Sequence, residues 1–386
     1  MEPTLPNIPD DTKLALQFHD VHPCNHILPF DVLGLIFHHI PKRGPFDIQP
    51  MLLVCNSWHE AARRHSSLWS DIKLDRTIYT MFSVGNMFQE SRASNYLRCC
   101  LKYSGTMWLD IELDFEQLAE LSFGAAIHIE TRLIPLLQVL VGRGGEHLVR
   151  WRSFTWHAWR AESIPITLCF LPSTIPNLRI VKLFYLFYED IVHTAFPTCP
   201  NLQTVELHYY RQPMLRKIDC AHVAELKLGT DSIWYASDVE VLYEFRNVRR
   251  LTLYTVGAPC FTGSPNELRT EVLFPYLHSL RLYGGPVWEV VKVLKAPRLK
   301  DVEFDEVSSF DLLKVVSLAS TIETAHVRIR RCNINSEASC SEKIMELLTA
   351  APLLERFRVP RWLHEELESG GLCLEERGVH LEIAIE

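Results

Sequence analysis

Apolar and polar positions recur with two different periods along this chain, and the change of period divides it. From Ile27 to Leu74 the period is helical. Val32, Leu33, Ile36, Phe37 and Ile40 form one apolar stripe. Pro29 suits a helix start, where its missing N–H would have no partner anyway, and Asp31 then lies near the positive end of the helix dipole. Pro41, Gly44 and Pro45 end that helix. A second helix is predicted from about Pro50 to His65. Its inner face is either Leu52, Cys55, Trp58 and Ala62 or the neighbouring set Met51, Val54, Trp58 and Ala61, with Glu60, Arg63 and Arg64 outside. Leu68 and Trp69 are apolar beyond the helix end.

Further along, the period becomes two. "YLRCCLKYSGTMWLDIELDFE" predicts a helix and then a strand. One phrase then returns: "IPNLRIVKLFY", "CPNLQTVELHY", "CAHVAELKLGT", "FRNVRRLTLYT", "FPYLHSLRLYG", "APRLKDVEFDE" and "APLLERFRVPR". Its anchors are Leu178, Leu202, Val223, Val248, Leu277, Leu299 and Leu354, at steps of 24, 21, 25, 29, 22 and 55 residues. The long last step holds a weaker copy, "TIETAHVRIRR". Self-similarity at this period marks a repeat architecture. Each copy reads L-x-x-L-x-L, whose closing alternation fits a strand with one buried face. "SDVEVLYEF", "WEVVKVLKA", "FDLLKVVSLAS" and "SEKIMELLTA" predict helices between the copies. The expected fold is α/β: a small all-α module, then a strand–helix solenoid with a parallel sheet.

The helical stretch is too short for its apolar content. About fifty residues bury little surface by themselves, so something outside must cover part of this one. Its residues also follow a known order. Leu28-Pro29 opens a helix, Val32, Leu33, Ile36 and Phe37 follow, "LLVCNSW" supplies Val54, Cys55 and Trp58, and Leu68, Trp69 and Ile72 close. This resembles the F-box, the module that docks a substrate receptor onto the Skp-type adaptor of a cullin-based ubiquitin ligase. Asn56 departs from the family, which has a longer basic or polar side chain there. The repeats resemble leucine-rich repeats, and "NYLRCCLKYSGTMWLDIEL" resembles the joining segment of fungal family members. Regular leucine-rich repeats place Asn or Cys three positions after the last leucine. Here those positions hold Leu186, Tyr210, Asp231, Val256, Gly285 and Val307, so an irregular arc is expected, with its turns satisfied by other means. The implied domains are a disordered leader at 1–25, an F-box module at 26–75 and an irregular repeat domain at 76–386.

Composition adds exclusions. The net charge is −8 with no long run of one sign, which supplies no basic face for nucleic acid. Eleven scattered cysteines with no C-x-x-C fit reduced thiols in the cytoplasm or nucleus. No signal peptide is read at the start, and "LIPLLQVLVG" is about half the roughly 20 residues of a membrane span. His19, His22, Cys24 and His26 are too close together to match the separated ligand pairs of structural zinc sites, so no metal and no cofactor is expected. "VGRGGEH" lacks the G-K-[ST] of a phosphate-gripping loop and reads as a turn between helix and strand. "HEELE" lacks the second histidine of a zincin. No catalytic constellation is found.

Two binding surfaces remain. The resemblance implies an adaptor contact through Leu28, Pro29, Val32, Leu33, Ile36, Phe37, Val54, Cys55, Trp58, Leu68 and Trp69. Trp58 and Trp69 either touch the partner or complete the module's own core, whereas Leu28, Pro29, Leu33 and Phe37 are expected to face outward as interface residues, because a three-helix module cannot enclose all of them. The solvent face of the repeats carries Lys182, Phe184, Glu206, His208, Arg250, Thr252, Tyr254, Arg281, Tyr283, Asp301, Glu303, Asp305, Arg328, Arg330, Arg356 and Arg358. From Tyr254 onward it offers a surface for an unknown protein substrate: aromatics, then an acidic band, then a basic group able to accept phosphate. The expected function is a non-catalytic substrate-recognition subunit. The alternatives are a repeat scaffold outside any ligase and an enzyme of an unfamiliar α/β type.

Overall fold

The computed structural model describes residues 28–39, 48–75, 87–114, 134–157, 171, 173–184, 196–208, 218, 220–230, 242–255, 271–283, 293–307, 321–329, 346, 348–359, 361–369 and 379–383. The leader, Ile40 to Asp47 and the His19–His26 cluster lie outside the described residues. Two compact units divide the chain, Met1–Trp159 and Arg160–Glu386.

In the first unit α1 spans Phe30–His39. Its first backbone hydrogen bond runs from Leu33 N–H to the Pro29 carbonyl at 3.1 Å, so Pro29 stands just before the helix and loses nothing by lacking a donor. The single helix expected over Pro50–His65 is two, α2 at Ile48–Val54 and α3 at Asn56–Arg64. Cys55 separates them with an extended backbone (φ −166°, ψ 171°) and accepts the His59 N–H at 2.9 Å. That break resets the phase of α3, so both Ala61 and Ala62 are buried. The segment after Trp69, read from sequence only as an apolar tail, is strand β1 at Asp71–Leu74. Then come α4 (Met87–Tyr103), β2 (Leu109–Asp114), a helix over residues 134–141 and β3 (Trp151–His157). The three strands are parallel, with Ile72, Ile111 and Phe154 in one register row and Leu74, Leu113 and Trp156 in the next. All six side chains are buried. "VGRGGEH" is a turn between helix and strand, as its sequence predicts.

Arg150 ties this unit together. Its guanidinium donates to the Met107 carbonyl (3.1 Å), the Leu101 carbonyl (3.3 Å) and the Ser104 hydroxyl (2.5 Å). Those groups sit at the end of α4, where carbonyls have no helical partner.

The second unit is a parallel-sheet, solenoid-like stack. Strands β4 (Ile180–Phe184), β5 (Thr204–His208), β6 (Glu225–Thr230), β7 (Arg250–Thr255), β9 (Ser279–Tyr283), β11 (Asp301–Val307), β12 (Thr324–Ile329), β13 (Arg356–Val359) and β14 (His380–Ile383) pair in chain order. The short β8 (Val272–Leu273) and β10 (Leu294–Lys295) pair with each other.

The repeated phrase has a physical basis. Each anchor donates its N–H to the carbonyl three residues earlier: Leu178 to Ile175, Leu202 to Cys199, Val223 to Cys220, Val248 to Phe245, Leu277 to Phe274, Leu299 to Ala296 and Leu354 to Ala351. These are β-turns, and Pro176, Pro200, Pro275, Pro297 and Pro352 occupy the second position, which a locked φ favours. The first residue and the anchor are buried in all seven. The residue after each of the first six anchors then offers one carbonyl to two consecutive N–H groups of the next rung, as Arg179 does for Gln203 and Thr204. Lys300 does so for Glu323 and Thr324, which makes Ile322 the anchor of the weak copy, and the Glu355 carbonyl accepts from His380 in the last strand. Ile322 splits the 55-residue step into 23 and 32.

Two successive pairs of turns are tied by asparagine, at a different position. Asn201 donates its side-chain N–H to the Pro176 carbonyl of the preceding turn at 2.7 Å, and Asn247 to Ala221 at 2.6 Å. The positions expected to hold Asn or Cys lie outside the described residues, except Val307, which continues β11.

The helices predicted between the copies are described only in part. "WEVVKVLKA" ends in strand β10, and "SDVEVLYEF" holds a 3-10 turn at Leu242–Glu244. "SEKIMELLTA" is helical at 346 and 348–350, while "FDLLKVVSLAS" lies outside the described residues. One further helix, α5, spans Arg361–Ser369.

Candidate docking surfaces

Helix α1 carries two apolar stripes. Leu33 and Phe37 point inward with Gly34. The Phe37 ring meets the Trp58 ring edge-on at 5.2 Å, and the buried Ala61 and Ala62 leave room for close approach. Gly34 is required by what lies over it. A Cβ there would fall 1.9 Å from His65 Cε1, and His65 Nε2 lies 3.2 Å from the Phe30 carbonyl. Trp69 is buried too, donating its indole N–H to the Ala62 carbonyl at 2.7 Å and packing on Tyr103 at 5.0 Å. Leu68 is buried beside it in sequence.

The expectation that Leu33 and Phe37 face outward is therefore corrected. Leu33, Phe37, Leu68 and Trp69 form the module's own core, because the α1 stripe they extend is the one that α3 covers. Ile36, Cys55 and Trp58 are half-buried. Leu28, Pro29, Val32 and Val54 are exposed. They are joined by Phe30, Leu35 and Leu53, with Leu35 62% and Leu53 66% exposed. These three were not singled out from the sequence. Leu28, Val32 and Leu35 lie at i, i+4 and i+7, a spacing that would have identified the second stripe. An apolar helix face left in water beside more exposed apolar residues is the kind of patch that marks an interaction site.

The second surface is the solvent face of the β4–β14 sheet. Because the strands run parallel and in register, equivalent side chains line up across it. One row of register positions reads Lys182, Glu206, Lys227, Thr252, Arg281, Glu303, then residue 326, whose side chain lies outside the described residues, then Arg358 and Glu382. Strands about 4.8 Å apart bring such neighbours into ion-pair range. Lys182 and Lys227 lie 3.7 and 3.6 Å from Glu206, Arg281 is 2.9 Å from Glu303, and Arg358 is 2.6 Å from Glu382. Burial by itself raises the Glu206 carboxyl, but the His208 hydrogen bond (3.0 Å) and the Lys227 and Lys182 ammonium groups outweigh it and hold it below the usual carboxylate range.

Within this row the described members of the acidic band and basic group read from the sequence pair from strand to strand. Asp301 accepts from Thr324 at 2.5 Å, and Glu303 accepts from Tyr283 at 3.3 Å as well as from Arg281. Arg281, Arg356 and Arg358 are exposed. The side chains of Asp305 and Arg328, and all of Arg330, lie outside the described residues. Lys227 and Glu382 were missing from the sequence-based set, and they supply two of the alternating charges.

The adjacent row is aromatic. The Phe184 and His208 rings lie 4.1 Å apart, and His208 and Tyr254 lie 4.6 Å apart. Gly229 stands between His208 and Tyr254 in register, and a Cβ there would fall 2.0 Å from Tyr254 Cε2. The missing side chain lets Tyr254 lean across the sheet toward His208. Tyr283 continues the row. With most charges on the face matched internally, its aromatic row offers a docking partner rigid, amphipathic contact area.

Among the described residues no group of three or more His, Cys, Asp or Glu could hold a metal ion. No described helix is long and apolar enough to cross a membrane. A family model described as F-box-like matches residues 26–75. No curated protein matches the chain. The match ends one residue after β1, so it includes the first strand of the β1–β3 sheet as well as the three helices.

Proposed function

We propose that this chain is a substrate-recognition subunit that links a target protein to a Skp–cullin–F-box ubiquitin ligase. The observation that carries the reading is the coincidence of the F-box-like match with an exposed apolar stripe on α1 and α2. Leu28, Pro29, Phe30, Val32, Leu35, Leu53 and Val54 contact the adaptor, with Ile36, Cys55 and Trp58 at the margin. The solenoid-like unit is a leucine-rich-repeat-like array of the irregular kind that follows F-boxes in fungal family members. Its aromatic row and the Arg281, Arg356 and Arg358 side chains hold the target. The subunit itself performs no chemistry and acts by proximity, raising the effective concentration of target near the ligase.

Co-expression of the full chain with a Skp-type adaptor and cullin scaffold, followed by affinity purification, tests the reading. Both partners are expected to co-purify with the full chain and to be lost when residues 26–75 are deleted. Failure of the intact, folded chain to retain the adaptor refutes it in favour of a protein-binding scaffold outside any ligase. Proteins that accumulate in cells expressing only the deleted form are the candidate targets.

A further inference from the structure

The glycine-rich "VGRGGEH" stretch serves neither docking surface, yet it borders a cleft of about 660 Å³ in the first unit. One wall is α4 and another is the helix over residues 134–141. Leu101, Pro135 and Val139 line it with apolar surface. Arg98, Lys102 and Arg143 line it as well, and all three are exposed.

The loop's conformation places the third cation. Gly142, Gly144 and Gly145 have φ of 77°, 66° and 85°, values that side-chain-bearing residues rarely adopt. A Cβ on Gly142 would fall 2.6 Å from Glu146 Cγ and 2.8 Å from His147 Cδ2, so glycine is what lets those two fold back beside the helix end. His147 N–H closes the loop on the Val141 carbonyl at 3.2 Å. Arg143 thereby joins Arg98 and Lys102 at one cleft.

This concentration of charge is unusual for the molecule. The chain carries a net −8, yet the cleft holds three cations and one carboxylate, Glu146, whose neighbour at 3.7 Å is His147. Arg98 and Arg143 are exposed, and Lys102 lies against the Tyr103 ring at 5.5 Å. Arg98 and Lys102 are four residues apart on one helix, a like-charge spacing that is mildly destabilising unless an anion intervenes. Burial pulls the His147 imidazole down, which outweighs the nearby Glu146 and favours the neutral ring. The cleft then has a formal excess of about two positive charges, matching the −1.5 to −2 of a phosphate monoester near neutral pH. Its volume suits a small molecule, and its apolar wall suits an uncharged body.

We propose that this cleft binds a phosphate monoester of a small molecule, with its phosphate held by Arg98, Lys102 and Arg143 and its body against Leu101, Pro135 and Val139. Isothermal titration of the full chain with phenyl phosphate, adenosine monophosphate, inorganic phosphate and a phosphoserine peptide tests this. At least one of the two ring-bearing esters is expected to bind saturably and more tightly than inorganic phosphate. Arg98→Ala with Arg143→Ala should weaken it about tenfold or more, as expected for losing charge-assisted hydrogen bonds, while the melting temperature stays put. Val139→Asp, which sets a carboxylate in the apolar wall, should weaken the ester further than it weakens inorganic phosphate. Failure of both ring-bearing esters to saturate, affinity unmoved by the double substitution, or tighter binding of inorganic phosphate or of the peptide would each overturn the assignment.

Discussion

The outer stripe of α1 and the exposed end of α2 can be tested apart from the module's fold. Leu35 and Leu53 keep 62% and 66% of their surface in water in the free chain. Fully burying a leucine is worth about 1.5–3 kcal/mol relative to exposure. The part still exposed therefore leaves roughly 1–2 kcal/mol per residue for a partner to capture, or roughly 2–4 kcal/mol for both. At about 1.4 kcal/mol per tenfold, Leu35→Ala with Leu53→Ala weakens adaptor binding by about 30- to 700-fold. The lower end is expected, since alanine keeps its Cβ. The inner pair should behave differently. Leu33 and Phe37 are buried, and truncating such residues costs about 2–5 kcal/mol each in stability, enough to unfold a small module before any partner is met. The assay pairs titration of purified Skp-type adaptor against the full chain with thermal melting by circular dichroism. The outer double variant should melt like the parent and lose affinity, whereas Leu33→Ala with Phe37→Ala should lose both. An outer variant that binds within threefold of the parent, at unchanged melting, refutes the reasoning.

Other outcomes follow from the same geometry. Gly34→Ala pushes a methyl group into the His65 ring and is expected to cost about 1–3 kcal/mol as overpacking. Adding His65→Ala should restore most of the lost melting temperature, and a double variant no better than the single would count against the contact. Asn201→Ala and Asn247→Ala each remove a bond between successive turns and should lower urea-unfolding stability by about 0.5–1.5 kcal/mol, close to additively at separate turns; a midpoint that does not move means that the turns are held otherwise. Glu206 has a lowered folded pKa, so its stabilisation is fully present above the ordinary carboxylate value of 4.5 and lost as pH falls through the lower value. Glu206→Gln should flatten the acid limb of the stability–pH curve, and an acid limb identical to the parent's would contradict the Lys182–Glu206–Lys227 arrangement.

The solenoid-like unit was legible because its signal is covalent and local. A β-turn with proline second, a buried residue before it and a buried anchor closing it uses four consecutive positions, and the same need returns at every rung. The copy at Ile322 was faint because it lacks the proline and carries the small Ala325 where the other copies have Val, Leu or Phe, although the structure uses it as an anchor. The turn asparagines were looked for at the wrong place. Asn201 and Asn247 lie inside the recurring phrase, but their acceptors, Pro176 and Ala221, are in the preceding copy. Only stacking shows that the pairs meet.

By itself the sequence determined the local parts: where α1 starts, the strand alternation, the turn chemistry and the excess of apolar residues in the first helices. Those depend on backbone preferences and on periods of 3.6 and two, which neighbouring residues set among themselves. The tertiary structure decided which of two equally apolar stripes on α1 is buried, because that depends on the phase of α3 after the break at Cys55. It also decided that scattered lysines, arginines and glutamates form an alternating row, because the register of parallel strands joins residues more than twenty positions apart. Both outcomes rest on distances between segments, and a one-dimensional pattern carries no measure of those.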